Sequence, residues 1–563
     1  MGKGFTKWII MLLRHSTWRL PGIVTLALTL TIAYPACAGI YTDSCGMVWT
    51  DTCVPFERNN EIAYNEELAA SFAPIAANLT EPPPDFSNIS WSDAFRETCT
   101  YMEERYAFTE WRGVDWNSLY STYAPKIAEA EKNGDKAAYY RTLREFVYAI
   151  PDGHVLVRST EDFGAKYADI GGGYGLTIAR LDTGEVIVTY VANGSDADEA
   201  GILFGDEVVS WDGRPIVDAI NATPIVWTPI KPSTAEGTLL HQQRYLTRAP
   251  VGTVATIGFV SQKDSLLHMV NLTAVDDGYD TLTRTSVFLG REANDGRAGS
   301  SAELETIITD ETVTSRTLPG GVVYIAVYEE VYDAYQPFTT AVKDAIEDGT
   351  PGIVIDLRFN RGGDDNLASA FAGWFVDRPI FYEYGTFYDP GTGETTVLWE
   401  SWTKPRPNRY EGPVAILVSP YTISSGEGLP KVFAESGTGA IVSWYGTNGA
   451  FGIESIGPTL PLGIVTAFPQ GASLDEDGKI QVDSNASLVG GVAPTVRVPL
   501  DRDTLARAMA GEDVQLAYAV DWLKAEAMTE NAEHSPVPTQ KAAAGLVIPL
   551  AALAFLAVQY GRR

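Results

Sequence analysis

The spacing of apolar residues changes period several times along this 563-residue chain. Between 91 and 148 they return at helical intervals: Tyr101, Tyr106 and Phe108, then Tyr120, Tyr123 and Ile127, then Tyr139, Leu143, Phe146 and Val147. Asp115 and the run Lys132-Asn133-Gly134-Asp135 supply caps and turns, so the pattern predicts a small helical domain. It ends in Ile150-Pro151-Asp152-Gly153-His154, a turn entering the strand Val155-Leu156-Val157. From 165 to 272 the pattern is one of short strands separated by glycine-rich turns, with Val186 to Val191 and Val254 to Val260 the clearest strands. A short helix is predicted over 195–200, and Gly205-Asp206-Glu207-Val208-Val209 leads a further strand into the turn Asp212-Gly213.

Beyond 320 strands and helices alternate: strand 322–327, helix 334–346, strand 352–357, helix 368–376, strand 414–418, helix 426–435 and strand 440–443. Such alternation builds a layered α/β domain whose site loops lie at strand C-terminal ends. An amphipathic helix is predicted over 505–524. The chain thus reads as an α+β multidomain protein: a helical domain 88–163, a β-rich domain 164–272, a linker or insertion 273–316, an α/β domain 317–505, a terminal helix 506–528 and a polar linker 529–541.

The two ends add an address. Lys3, Lys7, Arg14 and Arg19 form a basic leader, an apolar stretch follows, and Ala36-Cys37-Ala38 fits a small-x-small cleavage site, so 1–38 reads as a signal peptide. Residues 39–87 form a leader in which Cys45 and Cys53 can close a short disulfide loop, leaving Cys99 unpaired or buried. Residues 542–559 are apolar and precede Tyr560-Gly561-Arg562-Arg563, as a single membrane span or a processed sorting signal would. The bulk of the chain is therefore expected outside the cytoplasm, anchored by that C-terminal helix. Triplets at Asn78, Asn88, Asn193, Asn221, Asn271 and Asn485 are compatible with glycosylation. A net charge of −31 argues against nucleic acid as a partner. With five histidines and no zinc-type cysteine spacing, neither metal nor cofactor is expected.

Chemistry concentrates at two strand ends. The run Tyr421-Thr422-Ile423-Ser424-Ser425-Gly426-Glu427 follows a buried strand and enters a helix, which presents a hydroxyl where a developing negative charge is favoured. Upstream, Asp356-Leu357-Arg358-Phe359-Asn360-Arg361-Gly362-Gly363 ends a second buried strand in a glycine pair. With the Asp152-Gly153-His154 turn, these segments resemble peptidase family S41, which includes the carboxy-terminal processing proteases, the tricorn core and the chlamydial-type secreted protease. That resemblance implies a ClpP/crotonase-like catalytic layer. It implies Ser424 as nucleophile, with Ser425 the competing hydroxyl, and an oxyanion cradle from the N–H of Ser425 and of Gly362 or Gly363.

The same resemblance divides over the base. The processing branch uses a lysine in a Thr-x-Gly-Lys-Gly context, but here the stretch reads Gly446-Thr447-Asn448-Gly449-Ala450-Phe451-Gly452. The tricorn-like branch uses a histidine from an Asp-Gly-His turn, which is His154. An orienting glutamate is expected at Leu488, where no carboxylate stands. Asp483, or one of Asp475, Glu476 and Asp477, is the substitute, or else Ser487 or a backbone carbonyl. The block from Tyr174 to Ile216 resembles a PDZ domain, with Tyr174-Gly175-Leu176-Thr177 as its carboxylate loop. The resulting expectation is a secreted or surface-anchored serine endopeptidase acting on extended polypeptides. The alternatives are an impaired relative that only binds peptides, and a carrier of a small apolar ligand.

Overall fold

The computed structural model describes residues 40–42, 48–50, 82–286 and 312–533. The expected signal peptide, Cys45, Cys53 and the apolar stretch 542–559 lie outside the described residues. No helix among the described residues is long and apolar enough to cross a membrane.

The fold mixes α and β structure, with a helical region at the N-terminal side and several sheets. Helices Trp91–Arg105, Trp116–Asn133 and Lys136–Tyr148 start at Ser90, Asp115 and Asp135, each of whose side chains accepts a backbone N–H of the first turn. Gly134 ends the second in a left-handed conformation. These helices bury Phe95, Met102, Tyr139, Leu143 and Phe146 together with Leu460, Ile464 and Phe468 from far along the chain.

The main sheet runs Val313–Thr317, Val323–Val327, Ile353–Asp356, Val414–Leu417, Ala440–Ser443 and Val496–Arg497 in spatial order, and all pairings after the first are parallel. Its central strands are covered on both faces, as continuous apolar runs require. Ile353, Ile355, Val414 and Ile416 join one core with helices Tyr332–Glu347 and Asp365–Ala372. Val354, Ala415 and Leu417 join another with the C-terminal helix. Asp356 pairs with Leu417, so the two site-bearing strands end side by side.

The β-rich part is a sheet ordered Leu267–Thr273, Val254–Val260, Glu207–Trp211, Val186–Val191 and Leu176–Arg180. Helix Ala235–Leu246 lies against the last of these, where Gln243 accepts the Arg180 N–H at 2.9 Å. Several elements differ from expectation. Residues 273–286, read as insertion, complete a strand and carry Val275–Asp276 and the helix Asp280–Arg284. The terminal helix is two, Arg502–Met509 and Val514–Glu533, because Gly511 at φ +98° interrupts it. A hairpin, Ile380–Asp389 with Glu394–Thr403, stands in a stretch assigned no element by pattern.

One pairing crosses the expected domain boundary. The strand Leu156–Arg158, just after His154, adds antiparallel to Ile464–Gly471, with Thr466 opposite Val157. The helical region is thereby joined to a separate three-stranded sheet whose other strands, Ile453–Leu460 and Ile464–Gly471, come from the region that carries Ser424.

Candidate active site

The serine turn is held by its neighbour strand. Thr422 Oγ1 donates to the Leu357 carbonyl at 2.7 Å, and the Ile423 N–H to that of Asn360 at 3.2 Å. Ser424 itself sits at φ +59°, a left-handed conformation costly for a residue with a Cβ and typical of functional turns. Its N–H donates to the Ala450 carbonyl at 2.9 Å. The turn Ser424–Glu427 then runs into helix Gly428–Ser436. Ser424 is half-buried and its Oγ makes no hydrogen bond among the described residues. Ser425 is buried, and its Oγ donates to the Gly363 carbonyl at 2.9 Å. The two candidate hydroxyls therefore differ: one is committed, the other is free.

The glycine pair lies against this turn. At Gly362, with φ +85°, an added Cβ would stand 2.4 Å from Ser424 Cβ. At Gly363, with φ +151°, it would stand 2.2 Å from the Glu330 carbonyl oxygen. Only glycine fits either place. Asn360 Oδ1 accepts the Gly362 N–H at 2.8 Å, so that donor is spent. The N–H groups of Gly363 and Ser425 meet no acceptor among the described residues. Those two remain available to an oxyanion.

The histidine turn closes the third side. His154 N–H donates to Asp152 Oδ1 at 2.9 Å, tightening the turn. A Cβ on Gly153 would lie 2.8 Å from Ile423 Cδ1 and 3.1 Å from Ala450 Cβ. The turn thus abuts both the residue before Ser424 and the residue that accepts its N–H. His154 is 3% exposed and its Nδ1 has no partner. Burial holds the imidazole below its ordinary pKa; Glu454 and Asp152 pull it back up, Arg112 and Arg158 down. No hydrogen bond joins it to Ser424 among the described residues.

Asp483 meets a different partner. Its Oδ1 accepts from Arg112 Nη2 at 3.0 Å and from the Phe451 N–H at 3.0 Å, while its Oδ2 is unpartnered. Arg112 also pairs with Asp152, Nε to Oδ2 at 3.3 Å, and Tyr106 donates to that oxygen at 2.7 Å. Burial pushes the Asp483 carboxyl up to about 7 in spite of Arg112. Glu476, Asp477 and Ser487 are exposed and Asp475 half-buried, in the turns around 475–487.

Glu427, part of the serine run but given no role from sequence, ties the serine turn to the lysine-free loop. Its carboxylate accepts from Thr447 Oγ1, the Gly449 N–H at 2.9 Å and the Ala450 N–H at 2.9 Å. Burial still pushes it up to about 8. Sequence reasoning also missed Glu454, Arg112 and Asn360's role as bracket. For Asn360 its place beside the glycines was a signal; for the other two, far off in sequence, there was none.

The residues of the expected carboxylate loop are packed inside the β-rich part. Tyr174, Gly175, Leu176 and Thr177 are all buried. Thr177 Oγ1 bonds Thr189 Oγ1 at 2.7 Å, and Gly175 lies so near Ser195 that a Cβ would meet its Oγ at 2.5 Å. Among the described residues no cluster of three or more His, Cys, Asp or Glu side chains could hold a metal.

Residues 321–498 match the model of peptidase family S41, and residues 88–138 that of the tricorn protease C1 domain. Residues 321–498 thus carry a peptidase family S41 domain, and the chain is a serine-type peptidase. The S41 match contains both strand ends and the whole serine turn. Mature CPAF resembles it in fold with a TM-score of 0.52, at 14% identity over 80% of this chain and 99% of that one. CPAF complexed with lactacystin gives 0.51 at 14%, over 77% and 99%. The photosystem II D1 C-terminal processing protease is 18% identical over 76% of this chain and 99% of its own, with a TM-score of 0.33. No curated protein matches the chain significantly in sequence.

Proposed function

We propose that this S41 peptidase is an endopeptidase of extended polypeptides in which Ser424 is the nucleophile and His154 the general base. The observation that carries the reading is the packing of Gly153 on Ile423 and Ala450, which sets an Asp-Gly-His turn beside an uncommitted hydroxyl on a left-handed turn. In the first step Ser424 Oγ bonds the scissile carbonyl carbon while the imidazole takes the hydroxyl proton. The carbonyl pair moves to oxygen, where the Gly363 and Ser425 N–H groups receive it. The C–N bond then breaks and the imidazole returns its proton to the leaving amine. Water repeats the sequence on the acyl-enzyme, releasing the acid and restoring Ser424. Burial lowers the affinity of His154 for a proton, so the base is neutral at pH 7.

With Asp483 held by Arg112, the imidazole lacks a bonded acid, and a modest turnover follows. A PDZ-like module that packs on the catalytic layer, and an extracytoplasmic site reached through the basic leader and kept by the apolar C-terminal stretch, complete the proposal.

The test is fluorophosphonate labelling of the purified protein with mapping of the modified residue. Modification is expected on Ser424, abolished in Ser424→Ala and slowed at least about 10³-fold in His154→Ala. Because the folded imidazole titrates below its ordinary 6.5, the rate should hold from pH 8 to 6.5 and fall only at lower pH. Equal labelling of all three proteins would refute the assignment.

A further inference from the structure

Residues 231–234 lead into helix Ala235–Leu246 and, with its first turn, form a strap over the back of the histidine turn. Lys231 is buried, and its ammonium donates to the carbonyls of Val147 at 2.6 Å, Ile150 at 2.8 Å and Val155 at 2.7 Å. A lysine has three protons to donate, and all three are used. The accepting carbonyls lie on both sides of residues 152–154, so the side chain fixes the path of the turn at entry and exit.

Two residues on, Ser233 is fully buried and its Oγ accepts the Gly153 N–H at 2.7 Å. The same hydroxyl donates to Asn448 Oδ1 at 2.9 Å. Asn448 Nδ2 in turn donates to the carbonyls of Lys231 at 3.1 Å and Pro420 at 2.9 Å. A single hydroxyl therefore joins the residue before His154 to the loop whose Ala450 carbonyl holds Ser424. The strap goes on to grip the catalytic layer: the Ala235 N–H donates to the Leu488 carbonyl at 3.0 Å, and Glu236 accepts the Gly446 N–H at 3.0 Å.

We infer that Lys231 and Ser233 are positioning residues for His154, so that the β-rich module sets the base–nucleophile geometry rather than merely flanking it. Satisfying buried groups alone would not need the hydroxyl to bridge both sides of the reacting pair. The inference rests on the Ser424–His154 reading. Displacements of about 1 Å in such a pair cost up to about 100-fold in rate.

The experiment measures hydrolysis of unfolded, fluorescently labelled casein by full-length protein, with turnover normalised to fluorophosphonate-titrated sites. Ser233→Ala should lower kcat about 10- to 100-fold with KM unchanged, and Ser233→Thr, which keeps the hydroxyl, should recover most of it. A structural role alone would reduce the fraction of titratable sites and leave normalised kcat untouched. Asn448→Ala removes the same bridge from its other end and should give the same split, which covers the case of a poorly folding Ser233→Ala. If His154→Ala abolishes turnover while both bridge variants keep wild-type kcat, the positioning role falls and the catalytic reading stands. If His154→Ala keeps full turnover, both fall.

Discussion

Glu330 sits behind the glycine loop with one carboxylate oxygen taking the Asn360 amide at 2.6 Å and the other buried without a partner. Burial pushes its pKa up to about 8 against an ordinary 4.5. The folded state binds this proton more tightly than the unfolded chain does. Its contribution is thus complete below pH 4.5 and is lost as pH rises toward 8. Glu330→Gln keeps the acceptor for Asn360 and never ionises. Relative to that variant the wild type should lose about 1.4 kcal/mol of stability per pH unit between 5 and 8, measured by denaturant titration. A constant difference across that range would show that Glu330 is ionised throughout. The same scale shows what one-dimensional reading leaves open. The motif offered two hydroxyls and two glycines; only the bonds from Ser425 to Gly363 and from Gly362 to Asn360 separate the committed groups from the free ones. Arg112's hold on Asp483 spans 371 positions and has no local signal.

Among the elements, the capped helices and the buried parallel strands were legible because local chemistry and burial agree there. Asp115 and Asp135 start helices where a side-chain acceptor is needed. Helix Ala235–Leu246 was not legible, since it buries His241, Gln243 and Arg244 along with Leu240 and so blurs the apolar period. The hairpin Ile380–Asp389 and Glu394–Thr403 is interrupted by register shifts near Phe381 and Gly385, which break strict alternation. The contact between two strand ends makes the sharpest element-level prediction. Gly362→Ala places a methyl 2.4 Å from Ser424 Cβ at a φ of +85°, so one loop must retreat from the other. The fluorophosphonate labelling rate should drop at least about 100-fold. The far-UV circular dichroism spectrum should stay native, because the sheet beneath is untouched. Labelling at the wild-type rate would mean that the glycine loop does not touch the reacting serine.

Across the whole molecule, about 270 positions separate the histidine turn from the serine turn (424 − 154). They meet because Leu156–Arg158 joins a sheet otherwise made from residues 453–471, and because the strap from the β-rich module braces the turn from behind. Order and residue type along the chain pointed to this meeting. The pairing that achieves it was invisible, since a three-residue strand carries almost no period. On the proposed reading, peptide-bond cleavage depends on an interface of three regions rather than on one domain. Its most direct test is mass-spectrometric detection of new amino termini in an unfolded polypeptide incubated with wild type, Ser424→Ala and His154→Ala. The account requires internal cleavages by the wild type, none by Ser424→Ala and at most traces by His154→Ala; cleavage at the wild-type rate by either variant would contradict it.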